Sequence, residues 1–421
     1  MKNKFISNAT WIMVGRVFQL GLTFISTMLV ARYLGPSQYG TLTYVFSYIQ
    51  LFLPLCTMGF NDIVVKELVD NKDKNDEIIG TMVSIRMLSS LISMVLSVII
   101  VSLLNDGEIY RKVAILQSFA LLFQSFDSIM YFYQSKLMSK KTGIIYASSY
   151  VITALFRIIA LSLNKDIYWF AFAMTLDYIV VAIMLISVYL KDDNHFRFSF
   201  ACAKGLLSKS YYYIFAGLLV VLYGKVTDTL LLGKMIDETT VGYYTAATAI
   251  CNAWPFILTA IIDSASPIII DLYGKDKYQF QKRLKQLYAS IFYIGVVAAI
   301  GITLLSDFII NLLYGGEYMP ASIPLKIASW STIFAYIGVA RTIWIQCENK
   351  VRYETTISLF GAVVNIVLNY FLIKNIGIVG AAIALTLTQF LTNFFFMFMV
   401  DDLRENGRLI LDAIMLKDVL K

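Results

Sequence analysis

The sequence has few of the residues from which catalytic and metal sites are usually built. It contains one histidine, His195, and four cysteines that show no CxxC spacing. These numbers do not fit a multi-histidine metal centre, a zinc site or a disulfide framework. The sequence also has neither a G-x-x-x-x-G-K-[ST] loop for nucleotide phosphates nor a G-x-S-x-G nucleophile turn. We therefore expect no enzymatic activity, no bound metal and no cofactor.

Charged residues are also scarce, whereas long apolar runs are abundant. Charged residues make up 15% of the chain, against about 25% in soluble domains, and the mean hydropathy is +0.70. The apolar runs reach the roughly 20 residues that a helix needs to cross a bilayer. They do not show the short alternating segments of a transmembrane barrel. We predict an all-α integral membrane protein with about 12 transmembrane helices, at residues 8–31, 38–59, 78–104, 110–134, 142–163, 167–190, 210–233, 241–269, 285–313, 323–347, 354–373 and 378–400.

The distribution of lysine and arginine among the loops predicts the orientation. With these spans, one side of the membrane carries most of the basic loop residues. Because basic loops stay in the cytoplasm, both termini are predicted to be cytoplasmic. The other side carries only Arg32, Arg111, Lys112, Lys165, Lys234 and Lys374.

A weak internal repeat predicts two similar halves. Tyr33–Thr43 aligns without gaps on Met235–Thr245, which sets Gly40 against Gly242. A polar loop at 191–209 divides the predicted spans into six and six, so the halves would be parallel repeats. We predict a six-helix bundle at 1–190, a cytoplasmic loop at 191–209, a second six-helix bundle at 210–400 and a cytoplasmic tail at 401–421.

Several spans carry ionisable residues far from their ends. Such a residue costs about 2.5–3.5 kcal/mol at the bilayer centre on insertion scales, so it is expected to face the protein interior or water. Together with polar stripes at helical spacing, these residues predict a path for a polar cargo. The substrate-binding candidates are Arg16, Gln19, Gln124, Lys225, Asn252 and Arg341, and the candidates for coupling to H⁺ or Na⁺ are Asp127, Asp177 and Asp228.

A structural interpretation stands beside the functional one. Polar residues in membrane helices often only bond neighbouring helices together. Lys225 and Asp228 lie three residues apart and could neutralise each other, so a self-contained pair is as good an explanation as transport. Arg16 differs, because no acid on its own span can pair with it.

The string Ala31-Arg-Tyr-Leu-Gly-Pro-Ser-Gln-Tyr-Gly40 resembles the signature of the Wzx-like flippases of bacterial polysaccharides. These proteins belong to the multidrug/oligosaccharidyl-lipid/polysaccharide (MOP) exporter superfamily. The segments Asn8–Arg16, Asp228–Gly233, Val241–Ala247 and Gly377–Ala382 also resemble this group, so the likeness extends over nearly the whole chain.

The resemblance implies two six-helix bundles, similar to multidrug (MATE) transporters and lipid II flippases, in the bacterial cytoplasmic membrane. The implied cargo is an undecaprenyl-diphosphate-linked oligosaccharide unit of O-antigen, lipopolysaccharide or capsule, moved to the periplasmic leaflet. In related lipid II flippases, cationic residues of the first span hold the diphosphate, and Arg16 occupies such a place. Asp228 matches the acid that begins the family's seventh-span motif. Membrane lipids and the polymerase of the same pathway are the implied partners, and no nucleic acid is expected.

Two other interpretations are kept. A multidrug or organic-cation exporter of the same superfamily would need an acidic, aromatic cavity instead of a cationic one. A membrane-embedded glycan polymerase would need a large periplasmic loop, and the predicted outer loops are short.

Overall fold

The chain folds almost entirely into helices. A computed structural model describes residues 2–418, with side chains described from residue 19 onward except for Asp62, Tyr212, Tyr223 and Lys225, and this part contains no strand. The α-helices are α1 (Lys2–Gln50), α2 (Leu53–Thr57), α3 (Val64–Asp70), α4 (Asn75–Leu104), α5 (Glu108–Phe123), α6 (Ser128–Ser135), α7 (Ser139–Ser162), α8 (Ile167–Lys191), α9 (Phe200–Tyr223), α10 (Lys225–Met235), α11 (Glu238–Ala253), α12 (Phe256–Leu272), α13 (Lys277–Tyr314), α14 (Ser322–Ala328), α15 (Ser331–Cys347), α16 (Arg352–Phe390), α17 (Phe396–Met399) and α18 (Arg404–Ile414).

Two of the longest helices contain a sharp break. In α1, Gly35 has a φ of 72°, and in α16, Gly377 has a φ of 61°, a backbone region that favours glycine. Each of these helices therefore covers two of the predicted spans. Among the described residues, seven helices are long and apolar enough to cross a membrane, or nine if two bent pairs each count as one span. The all-helical membrane fold is confirmed, and the predicted count of twelve is compatible with these breaks.

The central segment is shorter than the sequence predicts. Residues 191–209 were expected to form a loop, but α9 already begins at Phe200. The helix starts early because Ala203 and Leu206 provide an apolar face, and both side chains are buried. Of the charged residues that suggested a loop, Lys204 and Lys209 lie within α9 and are exposed, and the others precede the helix.

The contacts divide the chain into two compact units. The first unit comprises Met1–Leu34 and Thr41–Val221, and the second comprises Gly35–Gly40 and Leu222–Lys421. The first has a core around Phe60, Phe132 and Tyr189, with Leu206 of α9 packed into it. This packing explains why α9 groups with the first unit, beyond the predicted boundary at residue 210. The core of the second unit is built mainly from α12, α13, α15 and α18.

The repeat identified in the sequence corresponds to a reciprocal contact inside the second unit. A Cβ atom on Gly40 would lie 1.7 Å from the carbonyl oxygen of Glu238, and one on Gly242 would lie 2.1 Å from the carbonyl oxygen of Pro36. Gly40 aligns with Gly242, and Pro36 aligns with Glu238. In each repeat, the glycine therefore packs against the residue that lies four positions before the glycine of the other repeat. Only glycine allows the two backbones to come this close.

The predicted tail is a packed part of the second unit. Leu409 and Ile410 of α18 are buried in its core. The Nδ2 atom of buried Asn406 donates a hydrogen bond to the Tyr288 hydroxyl at 2.8 Å. Just before the helix, a hydrogen bond from the Tyr353 hydroxyl holds the pKa of the Asp402 carboxyl below its usual range. Residues 401–414 are thus fixed to the unit.

Candidate functional site

Two carboxylates of the first unit bind the same helix, α7. Asp127 ends a 3₁₀ segment between α5 and α6, and its Oδ1 atom accepts a hydrogen bond from the Tyr146 hydroxyl of α7 at 3.2 Å. Asp177 lies on α8, and its Oδ1 atom accepts one from Ser149 Oγ at 2.6 Å. Tyr146 and Ser149 are three residues apart on α7, so the two acids bind the same face of that helix. The structure thus brings together two of the three predicted ion-coupling residues.

Arg157 adds a positive charge to this cluster. Its NH1 atom donates to Ser26 Oγ of α1 at 2.8 Å, and its charge acts on the Asp177 carboxylate. The residue was visible in the sequence as a charge within a span, but it was not among the predicted site residues. We define the first-unit cluster as Asp127, Tyr146, Ser149, Arg157 and Asp177.

Asp228 is the centre of a polar cluster in the second unit. Its carboxylate is fully buried and accepts hydrogen bonds from the Tyr244 hydroxyl of α11, from Asn365 Nδ2 at 3.1 Å and from Asn369 Nδ2 at 2.7 Å. Helix α10 begins at the break after Tyr223 and places Asp228 in its first turn, where a negative charge is favoured by the helix dipole. We define the second-unit cluster as Asp228, Tyr244, Asn365 and Asn369.

Two amide oxygens beside Asp228 are not used for hydrogen bonds within the described residues. The Oδ1 atoms of Asn365 and Asn369 are buried and have no hydrogen-bond partner in the part of the chain that the structure describes. Such an atom carries a desolvation cost. Rotating the two amides would turn both oxygens towards the Asp228 carboxylate, which gives an oxygen set suited to a hard cation. The described residues contain no group of three or more His, Cys, Asp or Glu that could hold a metal ion.

Arg341 has partners inside the second unit. It is buried on α15, its NH1 atom donates to Asn393 Oδ1 at 3.3 Å, and its NH2 atom lies 3.8 Å from Glu354 Oε2. Asn393 lies in a π-helical turn at Leu391–Phe395. These contacts offset part of the cost of the buried charge. The substrate-binding role predicted for Arg341 stays a prediction.

The remaining predicted substrate-binding residues lie in separate places. Asn252 is exposed near the end of α11, and Gln19 is half-buried on α1. Gln124 begins the 3₁₀ segment that also contains Asp127, and its carbonyl oxygen accepts a hydrogen bond from Arg86. Arg16 and Lys225 are outside the residues whose side chains are described. Their predicted roles, including the neutral pair of Lys225 with Asp228, are therefore not tested.

The sequence did contain a signal for the amides around Asp228. Asn365 and Asn369 are four residues apart within an apolar span, which places them on the same face of a helix. Tyr146 and Tyr244 gave no such signal, because tyrosine is common throughout the chain. In both clusters, hydrogen bonds from protein groups take the place of water around the carboxylates. Carboxylates held in this way inside a membrane protein can exchange a proton or a cation.

Comparisons with known proteins find two matching families and several similar sequences. A family described as "Polysaccharide biosynthesis protein" matches residues 5–273, and a family described as "MatE" matches residues 213–371. The capsular polysaccharide biosynthesis protein CapF of Staphylococcus aureus is 20% identical over 393 residues, which cover 91% of this chain and 96% of CapF. The probable low-salt glycan biosynthesis flippase Agl15 of Haloferax volcanii is 25% identical over 191 residues, covering 45% of this chain and 40% of Agl15.

Solved structures share the fold at low sequence identity. The lipid II flippase MurJ in an inward closed conformation aligns with a TM-score of 0.73 at 13% identity, covering 98% of this chain and 91% of that structure. An inward-facing multidrug resistance MATE transporter of the MOP superfamily aligns with a TM-score of 0.71 at 15% identity, covering 94% and 96%. The predicted likeness to MATE and lipid II flippase folds is confirmed.

Proposed function

The chain belongs to the polysaccharide biosynthesis protein family, and on that premise we propose that it is a flippase for lipid-linked oligosaccharides. The cargo would be an undecaprenyl-diphosphate-linked repeat unit, moved from the cytoplasmic to the periplasmic leaflet by alternating access. The observation that carries the proposal is that both units keep charged groups inside a membrane fold, in the first-unit and second-unit clusters. A charged group inside the membrane carries a large free-energy cost, and it usually serves the transport of a polar substrate or ion.

The parts of such a cargo match different residue types. A diphosphate is held best by arginine and lysine, which we assign to Arg16 and Lys225. The hydrated glycan needs donors and acceptors such as Gln19, Gln124 and Asn252. The polyprenyl tail can remain in the lipid. Both termini would lie in the cytoplasm, and the pathway's polymerase would receive the unit on the periplasmic side.

Coupling to an ion gradient would use the acids. Asp228 is the strongest candidate, because two buried amide oxygens beside it have no hydrogen-bond partner in the described part of the chain. A Na⁺ ion bound by the carboxylate and these oxygens, or a proton on the carboxylate, would change the charge of the cluster. Asp127 and Asp177 would play the equivalent part in the first unit.

A multidrug or organic-cation exporter is the second candidate. The first-unit cluster combines two carboxylates with Tyr146, and acids beside aromatic rings are suited to organic cations. Arg157 in the same cluster speaks against a cationic cargo. Resistance of expressing cells to cationic dyes and drugs would distinguish this candidate from the flippase.

The function is tested by labelling each leaflet in cells that lack the protein. We expect lipid-linked oligosaccharide units to accumulate in the cytoplasmic leaflet, and the wild-type chain to return them to the periplasmic side. Accumulation of single units in the periplasmic leaflet would contradict the proposal and would indicate a polymerase. Arg16→Ala is expected to insert in the membrane and yet leave the units in the cytoplasmic leaflet.

The role of Asp228 is tested by Asp228→Asn, which keeps the shape of the side chain and removes its charge. We expect the purified protein to lose any stabilisation by Na⁺, or any response of transport to a proton gradient. Asp271→Asn is the matched control, because Asp271 is exposed at the end of α12 and pairs only with nearby Lys275 in the described structure. An Asp228→Asn variant with wild-type ion response would remove Asp228 from the coupling step.

A further inference from the structure

Arg86 is a charged side chain in the interior of the first unit. It lies on α4, is 1% exposed, and retains its charge because a guanidinium does not lose its proton in proteins. Its Nε atom donates to the carbonyl oxygen of Cys56 at 3.2 Å, and its NH2 atom donates to the carbonyl oxygen of Gln124 at 3.0 Å. Its NH1 atom donates to Ser128 Oγ, also at 3.0 Å. The three acceptors come from two places where a membrane span stops being a regular α-helix.

The first place is the end of α2. This short helix stops at Thr57, because Met58 and Gly59 have positive φ angles of 54° and 61°. The last carbonyl groups of a helix have no partner within it, and in a membrane protein they must be satisfied by other protein groups. Side chains of α4 do this: Ser89 Oγ donates to the carbonyl oxygen of Leu55 at 2.8 Å, and Arg86 donates to that of Cys56.

The second place is the 3₁₀ segment Gln124–Asp127. It interrupts the span formed by α5 and α6, and a 3₁₀ stretch in the middle of a helix often marks a hinge. Arg86 binds both ends of this segment, through the Gln124 carbonyl and the Ser128 hydroxyl. Asp127 is the last residue of this segment, so it lies along the chain between the two groups that Arg86 binds.

Arginine suits this position because its planar fork reaches several acceptors at once. A lysine at the same place has a single nitrogen, which cannot reach the acceptors on both spans at hydrogen-bond distance, so a lysine that shifts between them weakens both contacts. The helix that carries Arg86, α4, runs without interruption from Asn75 to Leu104. It is therefore a continuous support against which two interrupted spans are held.

We propose that Arg86 is a positioning residue that joins the end of α2 and the Asp127 segment into one joint. A change of charge at Asp127 then loosens the guanidinium and is transmitted to the end of α2. The inference deepens the proposed function, in which Asp127 is an ion-coupling acid. It concerns the protein alone, and its test needs no cargo.

Hydrogen–deuterium exchange of the full-length purified protein tests the joint. The readout is amide exchange in two segments, residues 55–60 and residues 123–128. Because a hydrogen bond is worth about 0.5–1.5 kcal/mol, we expect Arg86→Lys to speed exchange about threefold to tenfold in both segments. Ser89→Ala is the matched control on the same helix, and it should speed exchange only at 55–60. Faster exchange at only one segment in Arg86→Lys, or at neither, would overturn the proposal.

A second set of variants tests whether Arg86 transmits a change of charge at Asp127 to the end of α2, or only supports the two segments separately. Asp127→Asn removes the charge without touching α2, and we expect it to alter exchange at 55–60 in the wild-type background but not in Arg86→Lys. An unchanged 55–60 segment in Asp127→Asn contradicts the joint. If Arg86→Lys fails to fold, Ser128→Ala is the deciding variant, because it removes one acceptor of Arg86 and should speed exchange at residues 55–60, to which Ser128 itself makes no hydrogen bond in the described structure. No change there overturns the proposal.

The proposal about Arg86 and the proposal about the cargo can be contradicted independently of each other. If the exchange pattern is as expected and the leaflet assay fails, the joint holds and the proposed cargo is wrong. If the leaflet assay succeeds and exchange at the two segments is independent, flipping stands and Arg86 is only a local support.

Discussion

Arg341 shows how a charge in a membrane protein can be explained by its neighbours. The side chain is almost fully buried, and it lies near Glu354, whose side chain is 34% exposed. Breaking a buried pair usually costs more than the pair contributes, because the remaining charge has no compensation. The exposure of Glu354 lets water screen part of that cost.

We expect Arg341→Met to lower the free energy of unfolding by about 1–3 kcal/mol. The double variant Arg341→Met/Glu354→Leu should recover much of the loss, because it removes both charges. Thermal or denaturant unfolding of the purified protein measures both effects. If Arg341→Met unfolds like wild type and still fails to export, its role is in cargo binding, as the sequence suggested.

At the residue scale, the sequence identified the acids better than their surroundings. Asp127, Asp177 and Asp228 are recognisable because an acid inside an apolar span is rare. Their hydrogen-bond partners, such as Tyr146, Ser149 and Tyr244, come from other helices. Nothing in one sequence says which helices will touch. The same limit applied to Arg86, whose three acceptors lie on two different spans.

At the scale of helices, spans were predictable and their ends were not. A long run of apolar residues predicts a membrane-spanning helix, because backbone groups in lipid must form hydrogen bonds within their own segment. The ends depend on side-chain contacts outside the run. Helix α9 begins at Phe200, inside a segment with enough charge to suggest a loop, because Leu206 and its apolar face have a core to pack into. The 3₁₀ break at Gln124–Asp127, inside the span formed by α5 and α6, also had no sequence signal.

The glycine crossing allows a prediction at this scale. In Gly242→Ala, the new Cβ would lie 2.1 Å from the Pro36 carbonyl oxygen, so the backbone must shift. We expect the free energy of unfolding to fall by about 1–3 kcal/mol, as in other overpacked sites. Gly301→Ala is the control, because Gly301 lies within helix α13 with no atom within 4 Å of its added Cβ. Equal stability of the two variants would contradict the close packing, and unfolding of both proteins in parallel measures it.

At the scale of the whole molecule, the repeat was visible in the sequence because it constrains the backbone. The segments around Gly40 and Gly242 exchange equivalent contacts, so both need glycine at the same place. The clusters around Asp127 and Asp228 do not repeat in this way: one contains an arginine and a second acid, and the other contains two amides. The polar groups of the two units therefore differ, although each cluster contains a carboxylate that we propose for ion coupling.

The central claim is that this chain carries a lipid-linked glycan across a bilayer. The most direct measurement uses purified protein in vesicles loaded with an undecaprenyl-diphosphate-linked oligosaccharide, with a lectin outside to count the accessible glycans. Under an imposed proton or Na⁺ gradient, the wild-type protein should change the accessible fraction with time, and Asp228→Asn should not. A wild-type time course identical to that of protein-free vesicles, under both gradients, would contradict the account.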